Sequence, residues 1–213
     1  MPTAPQAFDV GLGLNLVGVP FDAQTVLHVA RQSGGEVGAR AQAQAQALGA
    51  HAKQAGRHLK TIRGVLAEMG VQAPESPQSV DAYDGYVESV STVVYDALDA
   101  DGQRAYLAGW WLGGWTRAAN LAAIALYLLD AAPDDYLSEV VASYAVQLGE
   151  AATGLQGCRQ GASGGLDTAL AGAIAITQSV PMPTGTDPLA EAGGLQEALE
   201  AMDARVAAVR GAL

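Results

Sequence analysis

Hydrophobic and polar positions alternate with a helical period through nearly the whole chain, and one stretch dominates the pattern. From Tyr106 to Asp130 the sequence reads YLAGWWLGGWTRAANLAAIALYLLD, with Arg117 its only charge before the closing aspartate. Apolar residues run around the full helical circumference, the signature of a helix buried on all sides. A central helix over about 104–130 is therefore expected. It carries all three tryptophans, Trp110, Trp111 and Trp115, and Gly109 and Gly113 leave room for a neighbouring helix to approach closely. The stretch is long enough to span a bilayer. Arg117 and Asn120 fall at mid-span, however, and aspartates rather than basic residues flank both ends. A central charge is costly to insert, so the stretch reads as a core helix and no stable membrane insertion is expected.

The other elements follow in order. AFDVGLGLNLVGV (7–19) alternates at Val10, Leu12, Leu14 and Leu16, but no partner strand is visible elsewhere, so it reads as a helix that Pro20 ends or kinks. Asp22 suits the N-cap of a following helix that stops at Gly34-Gly35. Residues 36–69 form a long Ala- and Gln-rich helix, and Pro74 and Pro77 mark a loop. Ser79 or Asp81 caps a helix through Ala100, and Asp101-Gly102 reads as a turn into the central helix. Pro133 sits at a favoured first helical position for a helix reaching about Leu155. A glycine-rich break over 154–165, a helix to about Val180, a proline-rich linker and a last helix over about 187–211 complete the chain. The fold class is all-α: one domain, 1–213, of six to eight helices packed antiparallel around the central one, since short connections make neighbours antiparallel.

A short internal match is present, open to two readings, a duplication or an accidental similarity. AFDVGLGLNL (7–16) and AYLAGWWLGG (105–114) share an Ala, an aromatic and a Gly at the same offsets. A duplication would give repeated helical-hairpin units, with halves at 1–75 and 79–180 followed by the C-terminal helix.

Composition narrows the function classes. Net charge is −11, of which residues 1–70 contribute +2 and the remainder −13. Such a surface lacks the phosphate-neutralising cations that nucleic-acid binding needs. Cys158 is the only cysteine, which excludes an intrachain disulfide and a thiolate cluster. The start, MPTAPQAFDV, has no basic region followed by an apolar run. Two locations stay open: periplasmic if Met1 replaces a removed signal, cytoplasmic otherwise.

Each candidate chemistry lacks a part. Gly161-Ala162-Ser163-Gly164-Gly165 matches G-x-S-x-G, but a helical segment precedes it, and His28, His51 and His58 all lie upstream. Asp99-Ala100-Asp101-Gly102 resembles part of a calcium loop with alanines where the end ligands belong. His51 and His58 share a helical face, yet a zinc site needs three or four converging ligands. Cys158 beside Arg159 has no downstream base. Lys53, Arg57 and Lys60 form a basic stripe that complements Asp81, Asp84 and Glu88 on the next helix. No metal or cofactor is expected. Arg117 is the most informative residue, because a buried guanidinium must be paired. Asp9 and Glu139 are the expected partners. Alternatively Arg117 and Asn120 line a ligand pocket walled by Trp111 or Trp115.

The pattern Tyr106, Gly109, Trp111, Leu112 before an Ala-rich helix, together with FDVGLGLNL, resembles that of exported all-helical bacterial proteins of unknown function. The resemblance implies an exported, non-enzymatic protein and carries over no catalytic residue. The functional expectation is a non-catalytic helical binding or scaffolding protein. The alternative is a metal- or small-anion-binding protein using His51 and His58 or the Arg117–tryptophan sector. Ala-rich faces at 36–56 and 165–177 would serve a homodimer as well as packing within one chain.

Overall fold

A computed structural model describes residues 1–213, the side chain of Ala47 excepted. Among the described residues it contains seven helices and no strand: α1 Ala4–Gln32, α2 Gly35–Glu68, α3 Val80–Asp96, α4 Ala100–Leu129, α5 Asp135–Arg159, α6 Gly164–Ser179 and α7 Pro188–Gly211. Most starts carry a side-chain cap. Thr3 and Gln6 form a capping box, and Ser79, Asp99, Asp134 and Asp187 each accept from a backbone N–H one turn on.

α4 is the central helix, with Trp115, Leu112, Leu121 and Leu126 all but inaccessible to solvent. Its most extensive partner is α1. A Cβ placed on Gly109 would lie 2.2 Å from the Phe8 carbonyl oxygen, and one on Gly11 would lie 2.2 Å from the Tyr106 carbonyl oxygen. The two backbones therefore touch, and only glycine fits at either place. Asn15 Nδ2 adds a 3.0 Å hydrogen bond to the Trp110 carbonyl.

These contacts pair up under a single displacement of 98 residues, which carries Phe8 to Tyr106, Gly11 to Gly109 and Leu12 to Trp110. Gly11 meets Tyr106 O and Trp110 N, while Gly109 meets Phe8 O and Leu12 N. Such exchange defines a local two-fold axis between parallel helices, and it coincides with the repeat at 7–16 and 105–114. Further along, Leu12 meets Gly113 and Gly18 meets Arg117, so both helices run the same way.

The expectation of antiparallel packing around 104–130 holds for the other neighbours but not for α1. α2 returns along α1, with His58 against Gly13, and α5 returns along α4, with Trp111 against Gly154. α3 descends too: Tyr83 lies beside Gly18, and Tyr95 packs on Tyr106. Since α2 and α3 both descend, residues 69–79 must climb the bundle between them. Glu68 reaches Gln6 at the bottom (2.6 Å), whereas Tyr83 stands at the level of Gly18. Extended chain covers that rise of roughly 18 Å easily, and Pro74 and Pro77 favour it. In the second half α6 makes the climb as a helix, and α7 descends against α4, ending where Arg210 pairs with Asp9 at 2.6 and 2.7 Å.

Several expected boundaries move. α1 does not end at Pro20. Its neighbours Val19 and Ala23 are buried, and packing on both α2 and α4 outweighs the roughly 3 kcal/mol an interior proline costs. Asp22 is thus inside a helix, not its cap. Asp101 and Gly102 belong to the first turn of α4, and α5 continues to Arg159 before the break. No ion pair joins the Lys53–Lys60 stripe to Asp81, Asp84 or Glu88 among the described residues; α3 packs on α1 instead. The helix apolar and long enough to cross a membrane is α1, and 72% of its most hydropathic window is buried inside the bundle.

Gly109→Ala and Gly11→Ala are each expected to lower the unfolding free energy by about 2–3 kcal/mol through overpacking. Gly114→Ala, whose Cβ would meet nothing nearer than Asn15 Oδ1 at 3.7 Å, is expected to be neutral or stabilising by up to about 1 kcal/mol. Urea unfolding of the three variants checks the order, and equal effects at Gly109 and Gly114 would contradict the close approach.

Candidate functional site

The four residues singled out in the sequence do not converge. Arg117 turns from α4 toward α1, α3 and α5. Its Nε donates to Asp22 Oδ2 at 2.7 Å, and its Nη1 donates to the Tyr83 hydroxyl at 2.8 Å. Tyr83 in turn donates to the Leu14 carbonyl at 2.8 Å, and the guanidinium carbon lies 4.9 Å from the Tyr83 ring centre. Tyr144 of α5 faces the pair. The partner is Asp22, not Asp9 or Glu139: Asp9 is held by Arg210, and Glu139 is exposed. Burial raises the Asp22 carboxyl above its ordinary range against the pull of Arg117, and it pushes the Tyr83 phenol up to about 12. The side chains of Arg117 and Asp22 remain only 20% and 14% exposed. This is a desolvated pair with its donors spent on the fold.

Trp115 is fully enclosed and walls no opening. Trp111 packs on Gly154 and lines a cleft of about 430 Å³ with Tyr95, Arg104 and Cys158. Burial pushes the Cys158 thiol up to about 11, although Arg104 pulls the other way, so no thiolate is present at neutral pH.

Asn120 belongs to a different opening. Between α2, α4 and α7 lies a cleft of about 410 Å³ whose polar lining is Gln44, His51, Asn120, Tyr127 and Gln196. Leu48, Ile124 and Leu189 supply apolar wall, and Leu189 is half exposed at the rim. No residue of the lining is acidic or basic apart from His51, and burial lowers the His51 pKa, which favours its neutral form. Asn120 Nδ2 donates one hydrogen to the Thr116 carbonyl at 2.8 Å, and its second N–H and Oδ1 have no partner among the described residues. The Arg40 guanidinium, which is not among the lining residues, sits 5.0 Å from the Tyr127 ring centre and bonds Asp130 at 2.9 Å.

His58 faces Gly13, not the cleft, so the two histidines do not meet. No group of three or more His, Cys, Asp or Glu converges as metal ligands do among the described residues. Ser163 is exposed beside Ala212 and Leu213, away from every histidine. A larger depression of about 560 Å³ between α5 and α6 is open, and its charges are spent on the Arg159–Asp167 pair.

The cleft was not legible in the sequence, because its walls come from residues about 75 apart in three helices. The one available signal was the register of the repeat, which aligns Asn120 with Asp22. Comparison with protein-family models, curated proteins and solved structures finds no match for the chain.

Arg117→Met is expected to destabilise by about 2–4 kcal/mol, because Asp22 is left buried without its cation, and adding Asp22→Asn should recover part of that loss. Chemical denaturation of the single and double variants measures the coupling; strictly additive losses would mean that the pair is not coupled. The histidines set a second expectation. Burial holds the His58 pKa below 6.5, with Arg57 acting in the same sense and Asp9 opposing. As pH falls through 6.5 the unfolded chain protonates first, so stability is complete above that pH and declines below it. Asp22, raised above 3.8, acts oppositely in a lower window. Thermal melts of the wild type and His58→Gln between pH 7.5 and 5 should show a shallower decline in the variant.

Proposed function

We propose that this protein is a non-catalytic helical binding protein whose α2–α4–α7 cleft holds a small uncharged molecule. The observation that supports this most directly is the character of the lining. In a chain of net charge −11, the cleft gathers four uncharged polar side chains and a histidine whose neutral form burial favours, and leaves carboxylates and ammonium groups out. A site with convergent polar groups among apolar walls is what orients a small ligand. An anion would find no cation in the lining, since nearby Arg40 is engaged by Asp130 and Glu36, and would meet the field of an acidic protein. The Arg117 sector supports an anion site less well, since its donors are engaged by Asp22 and Tyr83.

Gly193 offers a clean test. It lines the cleft, and a Cβ added there meets nothing within 4 Å, so Gly193→Leu should fill the space without harming the fold. Native mass spectrometry of protein exposed to a library of neutral fragments should show one-to-one adducts in the wild type that weaken at least about tenfold in Gly193→Leu. Adducts that ignore the substitution would overturn the assignment.

A further inference from the structure

The local two-fold axis between α1 and α4 relates two clefts that differ in one respect. Under the 98-residue displacement α1 maps on α4 and α2 on α5, while α3 and α7 are the helices that descend against α1 and α4 respectively. The α2–α4–α7 cleft therefore corresponds to the space between α5, α1 and α3. That space is occupied by the Arg117 guanidinium, among Asp22, Tyr83 and Tyr144. Asn120 stands where Asp22 stands in the other half, and Val19 where Arg117 stands. One half supplies its own planar donor from α4. The other has no such side chain, because a buried valine replaces it, and the cleft is open.

From this correspondence, and resting on the reading of the cleft as a binding site, we infer that its ligand carries a primary carboxamide or urea group on an apolar body, the neutral counterpart of the guanidinium that fills the sister site. The exchange of Asp22 for Asn120 sets the charge. A carboxylate calls for a cation, and an amide oxygen calls for a neutral N–H donor. Asn120 Oδ1 has no hydrogen-bond donor among the described residues, while one Nδ2 hydrogen is held by the Thr116 carbonyl. Gln44, Gln196 and the His51 ring supply the donors that a carboxamide oxygen needs. Leu48, Ile124 and Leu189 meet the apolar body.

Benzamide and benzamidine separate the cases, since they share shape and differ in charge. Titrations followed by ¹H–¹⁵N NMR at 150 mM salt should show benzamide bound at least about tenfold tighter than benzamidine, with shifts in the Asn120 and Gln196 side-chain amides, although the net charge favours the cation. Asn120→Asp, which restores the carboxylate of the sister site, should reverse the order by a similar factor. Asn120→Ala should lose benzamide without gaining benzamidine, a control that does not depend on how the aspartate is accommodated. Wild type that prefers benzamidine, or an order that Asn120→Asp leaves unchanged, overturns the inference. Neutral fragments such as benzyl alcohol that bind and are blocked by Gly193→Leu, while benzamide does not bind, sink the carboxamide assignment and spare the cleft. If neither benzamide nor any neutral fragment binds in a Gly193→Leu-sensitive way, both readings fall.

Discussion

The α1 and α4 backbones meet directly through Gly11 and Gly109. Without side chains at these positions each helix sets its Cα hydrogens against carbonyl oxygens of the other, weak contacts that recur at close helix interfaces. The approach aligns the two helices in parallel and exposes a groove on each side of the pair. α2 and α3 fill the groove around α1, and α5 and α7 the groove around α4. A larger residue at either glycine would separate the central pair and loosen all four flanking helices together, because interiors packed to crystal density transmit such strain.

The halves then diverge in how they return up the bundle. The first climbs by an extended proline-bearing segment and the second by α6, which packs on both α5 and α7. They diverge also in how they treat the space beside the central helix. In one half a desolvated ion pair closes it. Bringing Asp22 and Arg117 out of water consumes much of their attraction: burial outweighs the pairing at the Asp22 carboxyl, whereas at the Arg117 guanidinium the interactions with Tyr83 and Asp22 outweigh burial. The pair therefore contributes more to the relative placement of α1, α3 and α4 than to net stability. In the other half no charge enters, and the space stays open.

What could be read from the chain follows from how local each feature is. The all-apolar circumference of 106–130, the glycines within it and the capping residue Ser79 act within a turn or two, so they were legible. The continuation of α1 through Pro20 was not, because it depends on burial supplied by residues some 90 positions away. The partner of Arg117 was equally hidden. With 22 acidic residues in the chain, only the tertiary register selects Asp22, and Asp9 is drawn off by an arginine at the far C-terminal end. The tryptophans misled for a physical reason. A large aromatic on a central helix is as useful for filling core as for walling a pocket, and Trp115 does the former.

The repeat converts that hidden information into something a sequence holds after all. A pair of parallel helices with equivalent contacts imposes one correspondence on every position along them, so a difference between equivalent residues reports a difference between equivalent sites. Asp22 and Asn120 are nearly isosteric and differ by one charge, whereas Val19 and Arg117 differ in both size and charge. Both exchanges have the same sense: the half without the carboxylate also lacks the cation. Had Asn120 been an aspartate with Val19 unchanged, the open half would hold a carboxylate without a cation, at a cost of several kcal/mol if desolvated. Electrostatic neutrality of the α2–α4–α7 cleft is thus a condition of that half's stability.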